Sequence, residues 1–186
     1  RGVVEAEHDG YTRLPDPVRH RRYLVAPPDQ DWALVLDLVE GAGRHRLRTS
    51  WPLHPDLDVA LVGTNQVVTR AGTPVMQIAS AGTTALAPYQ VRGDDDEGLG
   101  WWSHRFESRT PAWLIGVVAD DAQCPAVIAT VLTVCADREP RVTDLCIARD
   151  GRGGVDVTWT DGTARPTVRV DTRVPGAISH GLAVPT

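Results

Sequence analysis

Apolar residues recur at every second position along most of the chain, and this period limits what the chain can form. Residues 32–39 show it best, with one tryptophan and three leucines on one face and alanine, two valines and an aspartate on the other. Successive side chains of a strand point to opposite faces of its sheet. Because both faces of this segment are mostly apolar, we predict a central strand covered on both sides.

Most of the chain divides into further strands. Residues 45–53 alternate between apolar and polar side chains, which predicts one half-buried strand with Trp51 directed into the core. A short strand is predicted at residues 84–88. Residues 142–148 and 155–160 flank a glycine-rich turn, as in a β-hairpin. No segment carries a capped apolar stripe with the period of a helix.

The spacing of these strands predicts an all-β protein, an antiparallel β-sandwich of the supersandwich type with extra C-terminal strands. We expect the sandwich to span residues 3–134. Additional strands or a hairpin over residues 135–174 would close it, and residues 175–186 would form a loosely ordered tail. The sequence begins with Arg1, and we expect it to be a piece of a longer protein.

Charge and composition exclude several classes of function. The 186 residues carry a net charge of −5, which argues against a nucleic-acid partner. All 19 basic residues are arginine, so lysine-based Schiff-base chemistry is excluded in this segment. No apolar run approaches the ~20 residues of a membrane-spanning helix, and we expect no membrane partner.

The histidines and cysteines form no motif with ligand spacing. Cys124, Cys135 and Cys146 contain no C-x-x-C pair, which predicts free thiols. The histidines lie in separate predicted elements, although His8 and His20 flank one turn. A zinc site needs three ligands and an ordered second shell. Structural histidines are the favoured interpretation, with His20 and Arg22 on one strand face bonded to backbone or carboxylate groups.

Residues 97–113 are the candidate binding segment, because they place adjacent tryptophans beside polar side chains. At most one of Trp101 and Trp102 can join a given core. A saccharide presents apolar C–H faces and hydroxyl edges, so the predicted substrate contacts are Trp101, Trp102, His104 and Arg105. The alternative is structural: one tryptophan closes the sandwich end, and Arg105 pairs with Glu107 or with a solvated acidic loop at residues 94–97. A calcium site in that loop is a further alternative.

Several runs of residues, in their order along the chain, resemble a known family over about residues 3–134. They are H-D-G-Y-T-R-L (residues 8–14), H-R-R-Y-L-V (20–25), D-W-A-L-V-L-D (31–37), G-A-G-R-H-R-L (41–47), W-P-L-H-P (51–55), G-W-W-S (100–103) and P-A (111–112). The chain is similar to the carboxy-terminal β-sandwich of heparinase II/III-like polysaccharide lyases.

The resemblance implies a role in β-elimination at an acidic, uronate-containing polysaccharide. In such lyases an N-terminal helical toroid precedes the sandwich, and the substrate lies between them. The family's catalytic and zinc-binding motifs do not occur in this segment, so the resemblance assigns it no catalytic residue, no metal ligand and no cofactor, although it allows zinc in the parent protein. The segment is then an inactive scaffold and groove wall, in a secreted or periplasmic protein. A non-catalytic carbohydrate-binding module and an interdomain structural module are the alternatives.

Overall fold

The computed structural model describes residues 2–135 and 141–183, and the named secondary-structure elements within these residues are all β-strands. They are β1 (Val3–His8), β2 (Val18–Val25), β3 (Trp32–Gly41), β4 (Arg44–Arg48), β5 (Trp51–Pro52), β6 (Leu57–Val62), β7 (Asn65–Arg70), β8 (Thr73–Gly82), β9 (Ala87–Arg92), β10 (Trp101–Trp102), β11 (Thr110–Pro111), β12 (Trp113–Gln123), β13 (Ala126–Val134), β14 (Val142–Arg149), β15 (Gly154–Asp161), β16 (Arg165–Asp171) and β17 (Ile178–Ala183). The predicted all-β class is confirmed.

The strands form three layers of antiparallel sheet. The central sheet has seven strands in the order β1-β2-β3-β13-β8-β7-β6. In the first outer sheet β12 is the middle strand, with β4 and β5 paired along one of its edges and β9 along the other. The second outer sheet has the order β14-β15-β16-β17, and β10 pairs with β11 in a short separate ribbon.

Strand β3 is buried on both faces, as its pattern predicts. Its leucines join a core with Trp159 of β15, a fully buried side chain of the second outer sheet that packs against the central sheet. On the opposite face Val39 packs with Ala119 and Ala122 of β12. The central sheet is therefore covered by one outer sheet on each side, and the sandwich prediction is confirmed with three layers.

Two predicted strands have different bounds in the structure. Residues 45–53 divide into β4 and β5 because the side chain of Thr49 enters the ladder: its Oγ1 accepts the N–H of Val117 at 3.1 Å. The strand predicted at residues 84–88 runs instead from Ala87 to Arg92, as β9. Residues 84–86 are the connection from the central sheet to the outer one, where Leu86 packs between the layers.

The C-terminal region contains one strand that the sequence pattern does not reveal. A loosely ordered tail is predicted over residues 175–186, whereas β17 lies within that range and pairs with β16 from Ile178 to Ala183. Ile178 packs against the core beside Val170, so burial of one side chain contributes to ordering the strand. Residues 136–140 and 184–186 lie outside the described residues.

Candidate functional site

The predicted binding segment forms the β10–β11 ribbon and the loop between its strands. Trp101 is opposite Pro111 and Trp102 is opposite Thr110. The connecting residues 103–109 are mostly exposed. The ribbon therefore places the two tryptophans at the base of an exposed loop, and their alternation sends the rings in different directions.

Trp101 is the structural member of the pair. Its ring is half-buried, and its indole N–H donates to the carbonyl oxygen of Asp94 at 3.1 Å. The guanidinium of Arg109 lies 4.1 Å from the ring centroid and also pairs with Asp95 at 2.7 Å. These contacts hold the acidic loop, whose Asp94 carboxylate accepts two backbone N–H groups of the loop itself. The arginine that pairs with this loop is Arg109, rather than Arg105.

Trp102 offers the accessible aromatic surface. Its side chain is 38% exposed, and the ring of His54 meets it edge to face at 5.3 Å. His104 and Arg105 are both exposed in the adjoining loop, where His104 Nδ1 lies 3.5 Å from the hydroxyl of Ser108. Phe106, between the ribbon strands, is 91% exposed. The structure thus brings Trp102, His104 and Arg105 to one exposed loop and separates Trp101 from them.

Sequence reasoning misses His54 and Phe106 as members of this surface. His54 follows β5, 48 positions before Trp102 in the sequence, and only the pairing of β5 with β12 carries it to the ribbon. Phe106 carries a signal that could have been used, since a lone phenylalanine among charged residues cannot join an alternating strand face. We name the exposed group Trp102, His54, His104, Arg105 and Phe106 the ribbon surface.

A second polar cluster lies on the central sheet, where β2 and β3 pair. The carboxylate of Asp37 is 5% exposed and receives two bonds from Arg22, at 2.6 and 3.0 Å. His20 Nε2 lies 2.7 Å from the same carboxylate. Burial raises the pKa of Asp37, but hydrogen bonds from His20 and Arg22 outweigh it and bring that pKa below its ordinary value. Backbone or carboxylate partners are predicted for His20 and Arg22, and the structure shows the carboxylate of Asp37.

The Asp37 cluster lies in a groove of about 220 Å³ between the central sheet and β4. Tyr11 and Leu14 form its rim, and five consecutive residues, 45–49, form its other wall. Arg22 and His20 on its floor both contact Asp37. The buried carboxylate is therefore already hydrogen-bonded, and the cluster serves to satisfy it.

The described residues offer no resident metal site. Across residues 2–135 and 141–183, no three His, Cys, Asp or Glu side chains come together as ligands. His8 and His20 are register partners on β1 and β2, but they remain a pair without a third ligand in that part of the chain. Cys124 and Cys146 are free thiols, as predicted, and the Cys135 thiol donates to the carbonyl oxygen of Thr133 at 3.9 Å.

Replacing Asp37 by asparagine is expected to remove the part of the protein's stability that is lost in acid. The folded pKa is lowered, so the contribution is present above the unfolded pKa and is lost as pH falls through the folded value, below about pH 4. At neutral pH, Asp37→Asn should lower the free energy of unfolding by about 1–3 kcal/mol. Urea unfolding from pH 7 to pH 2 should show the two proteins converging in acid.

The control for this prediction is Asp121→Asn. Asp121 also pairs with an arginine, Arg44, but both side chains are exposed and solvent screens the pair. We expect that variant to unfold almost as the unmodified protein does at every pH. Equal losses in the two variants would show that the buried position of Asp37 has no special role.

Comparison with known proteins identifies the family of the chain. A family model described as Heparinase II/III-like, C-terminal, matches residues 1–161. The chain belongs to this family. The resemblance in the sequence is confirmed, and the family match continues beyond residue 134 to the end of β15. No curated protein matches the chain in sequence.

Solved structures of heparin lyases share the fold of this family member. Heparan sulfate lyase HepC from Pedobacter heparinus has a TM-score of 0.69 and 15% identity, over 91% of this chain and 26% of that one. The heparinase III BT4657 gene product has a TM-score of 0.62 and 14% identity, over 98% of this chain and 25% of that one. The chain therefore spans about a quarter of the solved lyases it matches.

Proposed function

We propose that this chain is the β-sandwich portion of a polysaccharide lyase that cleaves an acidic, uronate-containing polysaccharide by β-elimination. The family match over residues 1–161 carries the proposal. The structures it resembles are named as a heparan sulfate lyase and a heparinase. In this proposal the segment is a scaffold and one wall of the substrate groove, and the groups that transfer protons lie in other parts of the parent protein.

The ribbon surface is the proposed part of that wall. Trp102 presents a ring to solvent, and His54, His104 and Arg105 surround it with polar groups. A flat ring packs against the C–H face of a sugar, while arginine and histidine can hold a carboxylate or sulfate. The chain's net charge of −5 repels an acidic ligand, so the local positive charge of Arg105 favours binding at this surface.

The parent protein is proposed to supply a helical toroid as the opposite wall. The supporting observations are that the matched lyases are about four times longer and that Phe106, a member of the ribbon surface, is 91% exposed. An apolar ring at that position has area to bury against a neighbouring domain. A secreted or periplasmic location belongs to the same proposal. Residues 2–135 and 141–183 include no helix able to cross a membrane.

The decisive test is a lyase assay on two proteins. The parent-length protein and the 186-residue chain are incubated separately with heparan sulfate, hyaluronan and alginate, and unsaturated products are followed by ultraviolet absorbance. We expect product with at least one polymer for the parent and none for the isolated chain. Product formed by the isolated chain would contradict the scaffold role, and a parent inactive on every acidic polymer would contradict the lyase assignment.

Loss of the Trp102 ring is expected to weaken saccharide binding without unfolding the protein. Trp102→Ala in the parent-length protein should reduce affinity for the cleaved polymer's oligosaccharides roughly two- to tenfold, since aromatic contacts contribute about 0.5–1.5 kcal/mol. Isothermal titration calorimetry under conditions in which cleavage is slow measures the affinity, and calorimetric melting measures the thermal stability. Tyr11→Ala is the control for affinity, because that ring lines the groove of the Asp37 cluster and is not part of the ribbon surface. A large fall in melting temperature for Trp102→Ala would show a structural tryptophan instead.

A further inference from the structure

Strand β4 leaves one edge of its sheet open. Within the described part of the chain it pairs with β12 alone, from Arg44 to Arg48. The groove beside the Asp37 cluster runs along that open edge, since five consecutive residues of the β4 region, 45–49, line it. Because successive side chains of a strand point to opposite faces, this set includes residues from both faces of β4.

The backbone groups on this edge have a definite direction. Thr49 donates its N–H to Val117 of β12 at 3.0 Å, and Gly43 accepts from Cys124 at 3.0 Å, so odd-numbered residues face β12. Successive peptide groups of a strand point to opposite edges. The N–H and C=O groups of Arg46 and Arg48 therefore point into the groove, where they are available to a further strand.

The central sheet is also uncovered beside this edge. Val4 of β1 and Leu24 of β2 are register partners and are 58% and 37% exposed. Their sequence neighbours Val3 and Val25 lie in the core with the second outer sheet. Alternation thus places Val4 and Leu24 on the face toward the first outer sheet, which ends at β4 before reaching them.

The charges on β4 distinguish between possible occupants. Arg44, Arg46 and Arg48 share the outer face, and all three are exposed. Two copies paired edge to edge through β4 would bring arginine opposite arginine in every register that keeps the outer faces together, which is unfavourable. Arg44 and Arg46 contact Asp121 and Asp120, whereas Arg48 contacts the hydroxyl and ring of Tyr89. A strand with acidic residues on its outer face suits this edge.

The geometry points to an additional β-strand that pairs with β4 and extends this outer sheet over β1 and β2. The strand is supplied by residues of the parent polypeptide outside the 186 residues, an assignment that rests on the proposed function and on matched lyases about four times longer. Its outer side chains are acidic beside the arginines. Its inner side chains are apolar and cover Val4, Leu24, Tyr11 and Leu14.

Amide hydrogen exchange on the parent-length protein and on the 186-residue chain tests this inference, with residue-level resolution across residues 44–50. In the isolated chain the amides of Arg46 and Arg48 should exchange freely, while those of Leu47 and Thr49 are slowed by β12. In the parent-length protein the Arg46 and Arg48 amides should exchange roughly a hundredfold more slowly. Equal exchange of these two amides in both proteins would overturn the inference.

Two variants separate pairing from charge in the parent-length protein. Arg46→Pro removes the outward donor without removing a bond to β12, and it should restore fast exchange at Arg48. Arg46→Thr keeps the donor and should retain most of the protection. If Arg46→Pro does not fold, the comparison of the two unmodified proteins still decides the question.

Two further measurements separate this inference from other outcomes. Light scattering of the isolated chain should show a monomer, and a dimer abolished by Arg46→Pro would make a second copy the occupant and overturn the assignment. Lyase activity is recorded on the same parent sample. Protected β4 amides in an inactive parent would support the additional strand and contradict the proposed lyase function. Freely exchanging β4 amides in an active parent would contradict the strand and support the lyase function.

Discussion

Replacement of Trp159 by alanine is expected to lower the free energy of unfolding by about 3–5 kcal/mol. Trp159 is fully buried on β15, and its ring meets that of Trp32 on β3 edge to face, with centroids 4.9 Å apart at 85°. Removing the ring opens a cavity between the central sheet and the second outer sheet, and Trp32 loses its aromatic partner. Urea unfolding followed by far-ultraviolet circular dichroism measures the loss without depending on tryptophan fluorescence.

Trp102→Ala is the matched control for this prediction. Its ring is 38% exposed, so the same substitution should change the unfolding free energy by about 0.5 kcal/mol or less. Trp159→Phe should lie between the two, because it keeps a ring. If Trp159→Ala and Trp102→Ala were equally harmless, the second outer sheet would not share a core with the central one, and the three-layer architecture would be wrong.

Replacement of Gly116 by alanine is expected to disrupt the first outer sheet, at a cost of about 3 kcal/mol. A Cβ at this position would overlap the backbone carbonyl of Thr49, which lies directly against β12. Backbone cannot rotate away as a flexible side chain can. The shift would also disturb the bond in which the side-chain amide of Gln66 donates to the Gly116 carbonyl at 3.1 Å. Urea midpoints and the β spectrum together report the effect.

Gly181→Ala controls for the loss of a strand glycine. Gly181 lies in β17, and a Cβ there would meet open space. We expect that variant to be as stable as the unmodified protein or slightly more stable, because alanine restricts the unfolded chain. A similar destabilisation at both positions would attribute the effect to the substitution itself, rather than to the contact between Gly116 and Thr49.

The ribbon surface shows which members of a candidate site can be predicted from the sequence and which cannot. Alternation established that Trp101 and Trp102 must diverge, but either ring could have been the buried one. In the structure Trp101 is the half-buried ring, because Asp94 and Arg109 hold it by a hydrogen bond and a cation–π contact. His54 joined the surface through the pairing of β5 with β12, a contact between distant parts of the chain. Local pattern carries no information about such contacts.

The sequence by itself determined the all-β class, the double burial of β3 and the family to which the chain belongs. These depend on the period of apolar side chains and on short ordered motifs, both of which are local properties of the chain. It also predicted that His20 and Arg22 would bond to backbone or carboxylate groups, because polar groups on a half-buried face require partners.

Only the tertiary structure decided which carboxylate that is, where the outer sheets lie and which edge stays open. Asp37 is the partner because the register of β2 against β3 sets Arg22 directly opposite it. The open edge of β4 follows from the order of strands around β12. Register and strand order are set by the packing of whole sheets, and the free energy of that packing is shared among residues far apart in the sequence.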